Sequence, residues 1–162
     1  MYLSAGTLDK RKYMKSVDAQ LIEHMMEPKN YGSMQDADSE GIGKNPDNGE
    51  KVVIYLKVDE TEGESRVEEI RFQAIGCTTT VVAGSMLTEE AKGLPFSEID
   101  RLVTLTLELL EKVPPEEAAC TEMVAISMRA AMETYNKRKE DPDYPAITHQ
   151  IENSCVIKEE EK

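Results

Sequence analysis

Tryptophan is missing from this chain and aromatic residues make up only 5% of it, so a core has to come from Leu, Ile, Val, Ala and nine Met. Methionine packs adaptably and specifies a core less sharply than branched residues do. Histidine occurs only twice. No H-E-x-x-H pattern, Ser/His/Asp set or phosphate-cradling glycine loop is present, so a hydrolase or nucleotide-using enzyme of those kinds lacks its machinery, and the chain is expected not to be an enzyme. Positive charge is scarce: 19 Lys and Arg stand against 32 Asp and Glu, a formal net charge of -13. Such a field repels phosphate backbones and anionic lipid, which argues against nucleic acid and membrane as partners. It favours basic protein partners, although high negative charge also serves plain solubility. No apolar run approaches membrane-spanning length, and the opening stretch MYLSAGTLDKRKYMK lacks the apolar centre of a signal peptide, so a cytoplasmic location is expected. Cysteine is odd in number at three, with no C-x-x-C pair. A closed disulfide framework is thereby disfavoured and reduced thiols are expected.

What is present fits one ordinary domain. A chain of 162 residues, 40% hydrophobic and 31% charged, is long enough to bury a core and too short for two. Val17, Leu21, Ile22 and Met25 have helical spacing, broken by Pro28, Asn30 and Gly32. Residues 31–50 are rich in Gly, Asp, Asn and Ser and read as a long loop. Val52, Ile54, Leu56 and Val58 alternate as in a strand, and Val67, Ile70, Phe72 and Ala74 lead a second strand that pairs with the first as an antiparallel hairpin. At Cys77 the pattern turns helical, with an apolar stripe of Val81, Val82, Met86, Leu87 and Ala91 stopped by Gly93. Ser97 with Asp100 resembles a capping box opening further helix up to Pro114-Pro115. A long core-facing helix then runs from Glu116 to Lys137-Arg138-Lys139, whose positive charge suits a helix C-terminus. Beyond Asp141, Pro142 and Pro145 disfavour helix, and the acidic finish reads as a tail.

Cys77 sits at a strand-to-helix junction, where free backbone N–H groups and the helix dipole favour thiolate over thiol. Cys120 follows the proline pair into the first turns of the last helix, which predicts a similar, weaker bias. Two helix-start thiols could converge. Equally, each could be a small buried hydrophobe, the common fate of free cysteine. The threonines after Cys77 are expected to cap the helix, and Met86, Met123, Met128 and Met132 to be core.

Three local signatures, in order, resemble the U-type iron-sulfur cluster assembly scaffolds, the IscU and NifU N-terminal family. His24-Met25-Met26-Glu27-Pro28-Lys29-Asn30-Tyr31-Gly32 is similar to an H-x-x-x-P-x-N-x-G opening. Ile75-Gly76-Cys77, leading into small residues through Ala83, Gly84 and Ser85, resembles the family's second cysteine segment. Val113-Pro114-Pro115 followed by Cys120 resembles its third. The chain departs from the family at Asn48, which stands at the first cysteine position, at Glu50, where the family has Asp, and at Ala119, where many members carry His. The Val-Pro-Pro-Glu-Glu run also reverses the charge of a segment that some members offer to a chaperone.

The resemblance implies an α+β fold of several helices on a small antiparallel sheet of about three strands. It implies a domain over residues 17–139, between an N-terminal segment, 1–16, and a C-terminal acidic tail, 140–162. It implies that the loop from about Gly41 to Glu50 lies near the thiols. The implied function is a scaffold or carrier holding a [2Fe-2S] cluster or iron, with zinc an alternative in the isolated protein. Cys77, Cys120 and Glu50 are the implied metal and cluster ligands, and Cys155 is a further thiol that the tail could bring. The implied partners are a cysteine desulfurase and acceptor apo-proteins, with a homo-oligomer allowed. Two other functions stay open: a sulfur acceptor that takes persulfide without building a cluster, and a degenerate paralogue serving as a protein-binding module.

Overall fold

Apolar residues at every second position, Val52, Ile54 and Leu56, are fully buried and form the strand at the heart of the sheet. The computed structural model describes residues 19–61 and 63–151. A helix, α1, covers residues 19–26. Strands β1 (Ser39–Lys44), β2 (Lys51–Asp59) and β3 (Arg66–Ile75) follow, then helices α2 (Thr78–Ala91), α3 (Phe96–Leu110) and α4 (Pro115–Arg138), and last a strand β4 (Ile147–Gln150). The strand order is β3-β2-β1-β4. β2 pairs antiparallel with both β1 and β3, and β4 pairs parallel with β1. This is the expected α+β architecture and the expected β2–β3 hairpin. The sheet has four strands, one more than the resemblance implied and two more than the residue pattern marked, and it is mixed.

Both added strands lie where the sequence carried little signal. β1 falls inside the stretch expected to be loop, because its inward positions include Gly41 and Gly43 rather than apolar side chains. A Cβ on Gly41 would lie 2.0 Å from the Ala131 backbone N, and one on Gly43 would lie 2.3 Å from the Met123 carbonyl O. The missing side chains let the α4 backbone rest directly on β1. α4 buries Met123, Val124, Ala125, Met128, Ala130 and Ala131 there, small and adaptable residues that suit so close a contact. β4 lies within the expected acidic tail. It is tied down where Ile147 N–H donates to Thr134 Oγ1 at 3.0 Å and where Arg138 donates to the Tyr144 and Asp38 carbonyls and pairs with Glu40 at 3.1 Å.

The helix starts also differ from expectation. α3 begins at Phe96 after Pro95, and neither Ser97 nor the threonines after Cys77 make a side-chain cap bond. α1 does not bury its apolar stripe: Ile22, Met25 and Met26 are exposed, and Val17 lies outside the described residues. Its buried residue is His24, whose Nδ1 shares a hydrogen bond of 2.5 Å with Ser85 Oγ. The same oxygen accepts from the Lys29 N–H at 2.7 Å, and Asn30 Nδ2 donates to Thr88 Oγ1 at 3.1 Å. The H-x-x-x-P-x-N-x-G segment is therefore a clamp onto α2, completed by main-chain bonds of Asn30 and Gly32 with Phe72 in β3. Of the four methionines expected in the core, Met123, Met128 and Met132 are buried and Met86 is 41% exposed. No helix among the described residues is long and apolar enough to cross a membrane.

Candidate metal centre

β3 ends at Ile75, opposite Lys51 at the start of β2, so the chain leaves the sheet beside the Asn45–Glu50 turn. Cys77 is the N-cap residue of α2, with extended backbone (φ -89°, ψ 175°), and its carbonyl accepts from the Thr80 N–H at 3.0 Å. Cys120 lies in the second turn of α4, after the Pro114-Pro115 start. Because α4 rests on β1 and α2 starts from the end of β3, the two thiols meet at the same end of the sheet. Their sulfurs are 3.1 Å apart, and Thr80 Oγ1 lies 3.7 Å from Cys77 Sγ. Both cysteines are free, Cys77 exposed and Cys120 half-buried.

The pair is electrostatically unequal. Partial burial pushes the Cys77 thiol up, but a hydrogen bond from Cys120, the Thr80 N–H and hydroxyl, and the Thr79 N–H outweigh it and bring the pKa from 9.0 down to about 7. For Cys120 burial acts first, and the neighbouring Cys77 and the Glu50 charge add to it, raising its pKa to about 11. The weaker thiolate bias expected at Cys120 is thus reversed. It sits a turn too deep for the helix dipole, whose effect fades within the first turn, and two negative neighbours face it. At neutral pH Cys77 is therefore about half ionised, and Cys120, which stays protonated, is the donor to its thiolate.

Glu50 closes the turn after β1. Asn45 and Glu50 are joined by a main-chain bond of 2.9 Å, Gly49 takes a positive φ of 78°, and Asn48 Oδ1 accepts from the Glu50 N–H at 3.0 Å. The Glu50 carboxylate reaches within 3.5 Å of where a Cβ on Gly76 would stand, and its charge acts on Cys120. The structure therefore brings Cys77 and Cys120 into contact with Glu50 alongside. Among the described residues no set of three Cys, His, Asp or Glu side chains is arranged to hold a metal ion. Asn48 spends its side chain on the turn, Asp47 N–H donates to Asn45 Oδ1 at 3.0 Å, and Ala119 is buried. Cys155 lies outside the described residues. His149 is half-buried and meets Glu133 at 2.8 Å.

Sequence reasoning assigned Thr80 to the helix cap and so missed its place beside Cys77. Its position three residues on, one turn above Cys77 on the same helix face, was the signal available.

The family described as NifU-like N terminal domain matches residues 16–142. Among characterised relatives, the chain is 32% identical over 119 residues to the iron-sulfur cluster assembly scaffold protein IscU 1 of Archaeoglobus fulgidus, covering 73% of this chain and 75% of that protein. It is 26% identical over 124 residues to the iron-sulfur cluster assembly scaffold protein IscU of Escherichia coli, covering 74% and 94%. Among solved structures, the N-terminal NifU-like protein of Brucella abortus superposes with a TM-score of 0.62 at 13% identity, covering 74% of this chain and 93% of that one. A putative scaffold protein for the SUF system from Fervidobacterium islandicum gives 0.57 at 16% identity, covering 70% and 93%. At these identities the structural likeness speaks for the fold alone.

Proposed function

This chain belongs to the NifU-like N-terminal domain family, and from that premise we propose that it is an iron-sulfur cluster assembly scaffold whose cargo is held on Cys77 and Cys120. The observation that carries the proposal is the 3.1 Å contact between the two sulfurs at a surface where one of them is ionised near neutral pH. Soft thiolates suit iron and iron-sulfur clusters, and two of them side by side form half the donor set of a [2Fe-2S] cluster. Glu50, whose carboxylate already lies beside Gly76, is the proposed oxygen donor. Binding a cation or cluster lowers the pKa of Cys120 and releases the shared proton, so loading is favoured as pH rises through neutrality. A partly protein-ligated, exposed cargo leaves readily, as a scaffold requires.

In this reading the cargo is passed on rather than chemically turned over, so the protein is not an enzyme. Its proposed partners are a cysteine desulfurase, which supplies sulfur, and acceptor apo-proteins, and its proposed location is the cytoplasm. Zinc would occupy the same thiolates in protein isolated without iron.

A second reading draws on the depressed pKa of Cys77. Its thiolate can attack the outer sulfur of a desulfurase persulfide: a new S–S bond forms on Cys77, the old one breaks, and the desulfurase cysteine departs as thiolate. No external oxidant or reductant is consumed.

Anaerobic reconstitution with iron, sulfide and reductant, followed by visible absorption and metal analysis, tests the first reading. A cluster spectrum that is lost in Cys77→Ser and in Cys120→Ser supports the scaffold. Wild type that binds neither cluster nor iron, yet takes persulfide sulfur on Cys77, supports the acceptor reading instead.

A further inference from the structure

The contact between the Cys77 and Cys120 sulfurs has a chemical use that metal ligation does not draw on. At 3.1 Å the two atoms stand at the separation of a near-attack pair, about 3–3.5 Å. A covalent S–S bond is about 2.05 Å long, so joining them asks for a closing movement of about 1 Å. Both sulfurs are held by rigid elements. Cys77 is the N-cap of α2, its carbonyl accepting from the Thr80 N–H at 3.0 Å and the Val81 N–H at 3.4 Å. Cys120 is carried by α4, whose backbone is seated on β1 at Gly41 and Gly43. Among the described residues these are the only two thiols. The turn at position 48 offers an amide bonded to the Glu50 N–H, so the thiol beside Cys77 is that of Cys120.

The same contact decides which atom of a Cys77 persulfide meets Cys120. A sulfur placed between the two cysteines would need about 2 Å on each side, more than the 3.1 Å available. The outer sulfur therefore turns to the open side, where Cys77 is exposed, and the inner sulfur stays against the half-buried Cys120. Thiol exchange depends on which sulfur is attacked, and it runs in line, with the attacking and leaving atoms on opposite sides of the one attacked. Cys120 stands behind the inner sulfur, and the outer one faces solvent. The arrangement suits attack on Cys77 Sγ with departure of the outer sulfur.

We propose that Cys120 is a resolving cysteine that frees the sulfur of a Cys77 persulfide as inorganic sulfide. The inference rests on the acceptor reading and carries it one step further. An S–S bond forms between Cys120 and Cys77, and the bond from Cys77 to the outer sulfur breaks. The proton of the Cys120 thiol goes to the departing sulfur, which leaves as HS⁻. That sulfur gains two electrons, and the two cysteine sulfurs lose one each as they become a disulfide. A single turnover needs only the persulfide donor, and a further one needs a dithiol reductant to reopen the disulfide. While the disulfide stands neither sulfur can ligate cargo, so the pair releases sulfide and binds cargo by turns.

Glutathione persulfide, added anaerobically to the full chain with a chelator and no other thiol, tests this. Samples are quenched in acid over time. Sulfide is measured in the filtrate over a blank without protein, and the state of Cys77 is read by non-reducing peptide mass spectrometry. The expected result is a Cys77 persulfide that decays as sulfide and a Cys77–Cys120 disulfide rise together in equal amounts. In Cys120→Ser the persulfide should stay on Cys77 and sulfide release should be lost; the time course in the unaltered chain stands whether or not that variant folds. If the persulfide lasts as long in the unaltered chain as in Cys120→Ser, the inference fails and the acceptor reading stands. Sulfide released equally by the variant, glutathione in place of persulfide on Cys77, or a disulfide from Cys77 to any other thiol would each refute Cys120 as the resolving residue. If neither protein ever carries persulfide on Cys77, the acceptor reading fails and takes the inference with it.

Discussion

Replacing Cys120 by alanine removes the donor that holds Cys77 as a thiolate, and the effect can be worked through from the pKa values of the pair. With Cys77 at about 7, half of it is ionised at pH 7. If the loss of Cys120 lets the pKa return the whole way to 9.0, the thiolate fraction at pH 7 falls about 50-fold. The more basic thiolate is also more nucleophilic: with a Brønsted slope near 0.5, two pKa units are worth about tenfold in intrinsic reactivity. At pH 7 the net alkylation rate therefore falls about fivefold, whereas well above pH 9 it rises about tenfold, and the two rate profiles cross near pH 8. Thr80 and Thr79 still donate in the variant, so fivefold and tenfold are upper limits. The assay is iodoacetamide labelling across pH 6 to 10, with the Cys77 peptide quantified by mass spectrometry, which separates it from Cys155. The sign at neutral pH is the test: the variant must be slower there and faster at high pH. A Cys77 profile with the same half-point in both proteins would refute the assignment of Cys120 as the donor.

Three further outcomes follow from other parts of the fold. Glu60 is held at about 2, first by the Tyr135 hydroxyl at 2.6 Å and then by Lys139 and Ser65. A depressed carboxylate adds stability that is present above its ordinary 4.5 and lost as pH falls toward 2, so Tyr135→Phe should lower the urea midpoint at pH 7 and match wild type near pH 2. Ser85→Ala leaves the Lys29 N–H and His24 Nδ1 without their shared partner, which should cost about 1–3 kcal/mol in urea unfolding; a loss under ~0.5 kcal/mol would mean that the clamp of α1 onto α2 is not made in solution. Gly43→Ala puts a Cβ into the Met123 carbonyl; the backbone must shift, at about 1–3 kcal/mol, and because α4 carries Cys120 away with it, Cys77 labelling at pH 7 should slow as well.

Much of the fold was legible in the sequence wherever side chains recorded it. The period of two through Val52, Ile54 and Leu56, and the switch to helical spacing at Cys77, are both written in buried residues. Legibility failed where packing removed the side chains or where another element supplied the reason. β1 has glycine at inward positions because a helix backbone lies there, so the strand that seats the site left no apolar alternation. β4 is four residues long, and its pairing depends on β1. α1 displays an apolar stripe but docks through a histidine, because the oxygen it needs, on Ser85, lies 61 residues away. The convergence of Cys77 and Cys120 could be suspected from two helix starts. The reversal of the Cys120 pKa could not, since it depends on Cys77 and Glu50, which only the fold makes neighbours.

The glycine contacts and the thiol contact are two parts of one geometry. Any scaffold that binds and releases a cluster must hold some ligands firmly and others loosely, because a rigid full set would not let go and a mobile one would not assemble. Here the firm part is the junction of β3 with α2 and the bare contact of α4 on β1, which fixes two sulfurs within 3.1 Å. The loose part beside them is a side-chain carboxylate, that of Glu50, on the turn after β1. At position 48 the turn offers an amide oxygen already bonded to the Glu50 N–H rather than a thiolate. Cargo should consequently leave faster from this chain than from its Asn48→Cys variant, and a chelator-chase of the reconstituted cluster would show it. Equal release rates would mean that asparagine at this position has no bearing on transfer.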